Sequence, residues 1–123
     1  MTTASFTTSA YSPDKLIAGN AHLLVSRSVT LISGQNLTRG ALLGKITASG
    51  KYSLSLSGAA DGSQTPTAIL VEACDASGGD KTCLVFERGD FNQNAMTFGT
   101  GHTADSVRDG LRGKGITLID AEG

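Results

Sequence analysis

The sequence predicts a mainly β protein: a small body of short strands, one short helix near the C-terminus and an extended N-terminal arm. Three observations carry that reading. Short apolar runs recur along the chain and are cut at intervals by Gly-rich and polar turns, the pattern of strands folded back on one another. Glycine fills 16 of 123 positions, about twice average usage, which suits many turns and close backbone approaches. Aromatic residues make up only 5% and Trp is absent, so the core must rest on Leu, Ile, Val and Ala. A chain of 123 residues is long enough for one domain with one core.

Residues 1–20 read as the arm and residues 21–123 as a single β-rich domain. The first 15 positions are rich in Thr, Ser and Ala, with Phe6 and Tyr11 the only large side chains before Pro13. Such a segment buries too little apolar surface to offset its own ordering entropy, so alone it is expected to be mobile; it reads as an arm held by a partner, with a tail of no role as the other reading. Phe6, Tyr11, Leu16 and Ile17 are the candidate anchors. An arm of this composition suits strand addition, where main-chain hydrogen bonds give affinity and a few side chains give purchase.

From Leu16 the pattern changes to strands. Leu23-Leu24-Val25 leads through Ser26-Arg27-Ser28 into Val29-Thr30-Leu31-Ile32, and Ser33-Gly34-Gln35-Asn36 supplies a turn. Leu37 to Ile46 holds two apolar clusters broken at Gly40 and Gly44, positions that suit bends or bulges. Lys51 to Leu56 alternates Tyr52, Leu54 and Leu56 with Lys51, Ser53 and Ser55, the period of a half-buried strand.

Pro66 can open a strand, and Ala68–Cys74 followed by Thr82–Arg88 reads as a hairpin. Setting Cys74 opposite Cys83 places Ile69, Val71, Ala73, Leu84 and Phe86 on one face, expected to be core. Leu70, Glu72, Val85 and Glu87 then share the other face with the two cysteines, and that mixed face is the candidate contact with a neighbouring subunit. Ala104 to Arg112 is the expected helix. Thr103 caps it, Asp105 lies in its first turn, Val107 and Leu111 share a face, and Gly113 ends it. Ile116 to Ile119 closes the chain as a strand similar in sequence to Val29–Ile32.

Net charge is −1, with Lys and Arg scattered, which gives no footprint for nucleic acid or an anionic membrane. No apolar run has membrane-spanning length, and the N-terminus lacks the basic start and apolar core of a secretion signal, so synthesis in a cytosol is expected. Cys74 and Cys83 read first as two buried thiols; a disulfide formed after leaving the cell and a metal or nucleophile role are the alternatives. His22 and His102 stand alone in the sequence. Asp61, Asp75, Asp80 and Asp90 sit beside turn glycines, where Asp serves backbone hydrogen bonding, with a weak cation site between Asp75 and Asp80 as the other reading. Arg88-Gly89-Asp90 is a receptor-binding tripeptide by spelling, placed where a strand is expected to end. No active site assembles from these residues, and no cofactor or metal is expected.

Four strings then occur in order: Leu37-Thr38-Arg39-Gly40-Ala41-Leu42-Leu43-Gly44, Ala59-Ala60-Asp61-Gly62-Ser63-Gln64-Thr65-Pro66-Thr67-Ala68-Ile69-Leu70, Phe86-Glu87-Arg88-Gly89-Asp90-Phe91-Asn92 and Leu111-Arg112-Gly113-Lys114-Gly115-Ile116. Together they resemble the head decoration proteins of lambda-like tailed bacteriophages, over roughly Asn36 to Ile119. The resemblance implies a β-clip-like small barrel made in the host cytoplasm. It also implies a homotrimer on the outer surface of the virion head, at three-fold and quasi-three-fold sites. There the protein would bind the major capsid protein through its arm and cement the expanded head against packaged DNA. Residues 1–20 match the family only in their place and their Ser/Thr character. The alternative function is a trimeric β-rich ligand-binding or adhesive module displayed on a particle surface.

Overall fold

The structure is a computed structural model that describes residues 16–19 and 25–120. Its strands are β1 (Ile17–Gly19), β2 (Val25–Leu31), β3 (Asn36–Leu37), β4 (Leu42–Lys45), β5 (Tyr52–Leu54), β6 (Pro66–Leu70), β7 (Cys74–Asp75), β8 (Lys81–Asn92) and β9 (Ile116–Ile119). Helix α1 spans Ala104–Arg112, and a single 3-10 turn covers Gln93–Ala95. The fold is mainly β, as the sequence predicts.

Strand β8 organises the molecule. Its first half pairs antiparallel with β2, from Lys81 opposite Leu31 to Arg88 opposite Val25. The sheet then runs through β5 and β4 to β6, and β6 pairs back onto β8 with Ile69 opposite Phe86 and Leu70 opposite Val85. These five strands close a barrel, which leaves no free edge within that ring. The second half of β8 carries β9 in parallel, Ile116 opposite Gly89 to Ile119 opposite Asn92, and β1 antiparallel, Ile17 opposite Phe91. β3 and β7 form a separate two-stranded ribbon.

Because successive strand residues point to opposite faces, the barrel wall feeds two cores. Inside lie Val29, Leu31, Leu43, Tyr52, Leu70, Cys83 and Val85. Outside, Leu42, Ile69, Phe86 and Phe91 pack with Leu16, Ile116 and Leu118 beneath α1. The helix presents Val107 and Leu111, its two buried residues, to that outer core. Thr103 caps it through the Ser106 amide, Ser106 reciprocates to the Thr103 amide, and Arg112 lies in its last turn. A nine-residue helix is too short to stand alone, and Arg108 tethers it by donating to the Leu118 carbonyl at 3.0 Å and to Gln93 Oε1 at 2.8 Å.

Three expectations are corrected. The chain leaves the barrel after Leu70, and Cys74–Asp75 pairs with Asn36–Leu37 instead of extending a hairpin. The observed register sets Ile69, not Val71, opposite Phe86; a long loop does not hold register, and the turn after β2 offers the vacated segment another partner. The slip is by two residues, so the division into faces survives, yet Ile69 and Phe86 on one face and Leu70 and Val85 on the other are all core, while Ala73 and Leu84, expected in the core, lie exposed beyond the β6–β8 pairing. The strand at Tyr52 ends at Leu54, where Ser55 turns inward, fully buried, and Leu56 is left 41% exposed. Strand β8 does not stop at Arg88: Gly89, at φ +139°, carries it onward to Asn92. At the end of the segment read as the arm, Leu16 is buried and Ile17–Gly19 pairs with β8.

Gly44 shows why one strand needs a missing side chain. It pairs with Ser53 on one side and, after a register shift, with Pro66 on the other. A Cβ there would run into the backbone of Ser63. The Asp61–Ser63 turn can therefore lie directly on β4. Among the described residues no helix is long and apolar enough to cross a membrane.

Candidate functional site

The first candidate is the root of the N-terminal segment. Leu16 is 1% exposed in the outer core, the Asn92 amide donates to its carbonyl at 2.7 Å, and Ile17 follows as the first residue of β1 opposite Phe91. Phe91 is itself fully buried and packs against Phe86 with ring centroids 5.3 Å apart at 39°, a tilted pair of the kind that contributes about 1 kcal/mol beyond its burial. The point to which residues 1–15 are joined is thus pinned by apolar packing and strand pairing. Leu16 and Ile17 serve their own fold as anchors. Phe6 and Tyr11 lie outside the described residues, as does His22.

The second candidate is the face assigned to a neighbouring subunit. Leu70 and Val85 are fully buried inside the barrel, so their side chains offer no surface to a second chain. Glu72 is exposed, and Glu87 is partly exposed with its carboxylate on Arg27 Nε at 2.8 Å. Arg27 also donates to the Tyr52 hydroxyl at 2.8 Å, across the mouth of the barrel. Near Glu72, Leu84 stands 39% exposed opposite Ser28 of β2. The mixed face predicted from alternation is split between barrel interior and this outer rim.

Groups that suggested chemistry are built into the scaffold. His102, isolated in sequence, meets Ser55: Nε2 lies 3.0 Å from Oγ. Ser55 Oγ donates its own proton to the Ser63 carbonyl at 2.6 Å, so the imidazole must be the donor in the second bond. A serine that is fully buried and gives its proton to a carbonyl is a latch between β5, the Asp61–Ser63 turn and the loop before α1. Sequence alone carried no signal for that pairing.

The turn aspartates are likewise engaged. The Ser63 hydroxyl and amide both donate to Asp61 Oδ1, and the Ser77 hydroxyl and amide to Asp75 Oδ1. Asp80 accepts Lys51 Nζ at 2.6 Å on one oxygen and the Ser33 amide at 2.9 Å on the other. These bonds hold all three carboxyls below the usual carboxylate range, through Ser63 for Asp61, Ser77 for Asp75 and Lys51 for Asp80. Among the described residues no group of His, Cys, Asp and Glu has the arrangement to hold a metal ion. Arg88-Gly89-Asp90 lies within β8, flanked there by β9 and β1, so it is a strand segment and no displayed loop.

The candidate site is therefore a pair of surfaces on the barrel: the root at Leu16 and the rim around Glu72 and Glu87. In a comparison with known families, the model described as bacteriophage lambda head decoration protein D matches residues 5–115. A search of curated proteins gives no match.

Proposed function

Because this chain belongs to the bacteriophage lambda head decoration protein D family, a family of structural proteins on the phage capsid, we propose that it acts as a homotrimer. It sits on the outer head surface at three-fold and quasi-three-fold positions and cements the expanded shell against internal DNA pressure. The partner is the major capsid protein, reached through the N-terminal arm with Phe6 and Tyr11 as side-chain anchors.

The observation that carries this reading is the seating of Leu16 and β1 on β8. Load applied to residues 1–15 reaches a strand paired to the longest strand of the barrel. Peeling it off means breaking the pairing and unseating Leu16 together. An arm that orders on binding spends affinity on its own ordering, so one copy binds weakly. Three arms on one trimer raise the effective concentration of the second and third contacts, which multiplies affinity about 10²–10⁴-fold without new chemistry. Within the trimer, Glu72 and Glu87 mark the rim assigned to the neighbouring subunit.

Electron microscopy of expanded capsids with and without the protein tests the proposal. Added density at three-fold and quasi-three-fold positions is expected, with a trimer by sedimentation; bare capsids at saturating protein would overturn it.

A further inference from the structure

Cys74 and Cys83 are 5% and 7% exposed, unbridged, and members of the same inner core cluster. They arrive from different pairings, Cys74 opposite Leu37 in the β3–β7 ribbon and Cys83 opposite Val29 in the barrel wall. Both line a cavity of about 250 Å³ whose wall includes Ser28, Glu72, Lys81 and Thr82. Nothing in the decoration role uses a thiol. Two buried thiols that share one core cluster and one cavity wall are candidates to close the bond of about 2.05 Å of a disulfide, and the cavity gives a small reagent a way in.

We propose that Cys74 and Cys83 are a covalent modification site: a low-molecular-weight disulfide such as oxidised glutathione converts them into a stabilising intrachain bridge once the protein leaves reducing surroundings. The timing rests on the capsid reading; the chemistry stands on the pair alone.

The steps balance. One cysteine gives its proton to solvent and attacks a sulfur of the glutathione disulfide, whose S–S bond breaks. One glutathione leaves as thiolate and takes up a proton, and a mixed disulfide remains on the protein. The second cysteine loses its proton and attacks the protein sulfur of that mixed disulfide, releasing the second glutathione, which is protonated in turn. Two cysteine thiols are oxidised by two electrons, and the reagent is reduced to two thiols.

Attack requires thiolate. Burial, followed by the neighbouring Cys74, pushes the Cys83 thiol up to about 11, so roughly one molecule in ten thousand carries that thiolate at pH 7. Bridging is accordingly slow. Synthesis and assembly in a cytosol leave the pair reduced, whereas long residence outside lets the bond close. The bridge then ties the ribbon bearing Cys74 to β8 and trims the freedom of the unfolded chain.

The test uses the purified full-length chain, folded and incubated for days with oxidised glutathione at pH 8, then denatured in excess alkylating reagent for intact mass. Expected are a mass lower by two hydrogens, no alkyl groups added, and a cross-linked Cys74–Cys83 peptide. The thermal midpoint should rise by about 10 °C over the reduced form, a gain lost in Cys83→Ser. Two alkylated thiols, a persistent glutathione adduct, or a bridge that leaves the midpoint unmoved overturns the proposal. Binding of both redox forms to capsids is read in parallel. Failure of both to bind sinks the decoration reading and leaves the bridge result intact.

Discussion

Ser55 Oγ lies 3.0 Å from His102 Nε2, joining residues 47 apart in sequence at a point where Ser55 has no solvent access. Removing His102 takes one bond from the buried Ser55 hydroxyl, and removing Ser55 takes one bond from His102 and one from the Ser63 carbonyl; each such bond contributes about 1 kcal/mol. His102→Ala and Ser55→Ala should each lower stability accordingly in urea unfolding. The double variant should lose less than the sum, because the pair shares one bond. Strict additivity would show that the contact carries no coupling.

Gly44→Ala places a methyl group against the Ser63 backbone. Backbone cannot swing aside as a flexible side chain does, so either β4 or the Asp61–Ser63 turn must move, at a cost of about 2–3 kcal/mol. Gly58→Ala is the control: open space surrounds it, and its midpoint of unfolding should stay within about 0.5 kcal/mol of the parent. Equal stability of the two variants would refute the close approach.

Asp61, Asp75 and Asp80 all titrate below their ordinary value in the fold because they accept hydrogen bonds as carboxylates. A folded-state pKa below the unfolded one gives stability that is fully present above the unfolded value, about 3.9, and lost as pH falls through the folded value. Thermal midpoints should therefore be flat with respect to these three groups from pH 7 to about pH 5 and fall below pH 4. The triple variant Asp61→Asn, Asp75→Asn, Asp80→Asn should fall less steeply in that acid range; an identical acid slope would remove these carboxylates as the cause.

What could be read from the sequence follows from the range of the forces involved. Helix α1 was legible to its ends, because a Thr cap, an i,i+4 apolar pair and a terminal Gly act within a few residues. The strand opened by Pro66 and the breaks at Gly40 and Gly44 were legible for the same reason. The division of Ile69 and Phe86 from Leu70 and Val85 was also legible, since alternation is local. That both groups are core was not, because it depends on α1 and β9 covering the outside of the barrel. The Ser55–His102 latch and the β3–β7 ribbon depend on chain closure over long separations, for which no local residue pattern exists. At the candidate site, Leu16 carries no local signal of its role: a Leu beside a polar arm looks the same whether it grips a partner or its own Phe91.

That distinction separates two variants of the same segment. Leu16→Ala empties a fully packed position in the outer core, which costs about 2–4 kcal/mol of stability by the usual loss of buried methyl groups. Deleting residues 2–15 leaves every described residue of both cores in place. The deleted protein should unfold at the parental midpoint and sediment as a trimer, yet fail to decorate capsids. A truncation such as Phe6→Ala that costs about 1 kcal/mol per arm should cost about 3 kcal/mol when three arms engage, roughly a hundredfold in capsid affinity at unchanged stability. Co-sedimentation with expanded capsids beside thermal melts measures both. Normal decoration by the deleted chain would show that the barrel surface alone does the binding.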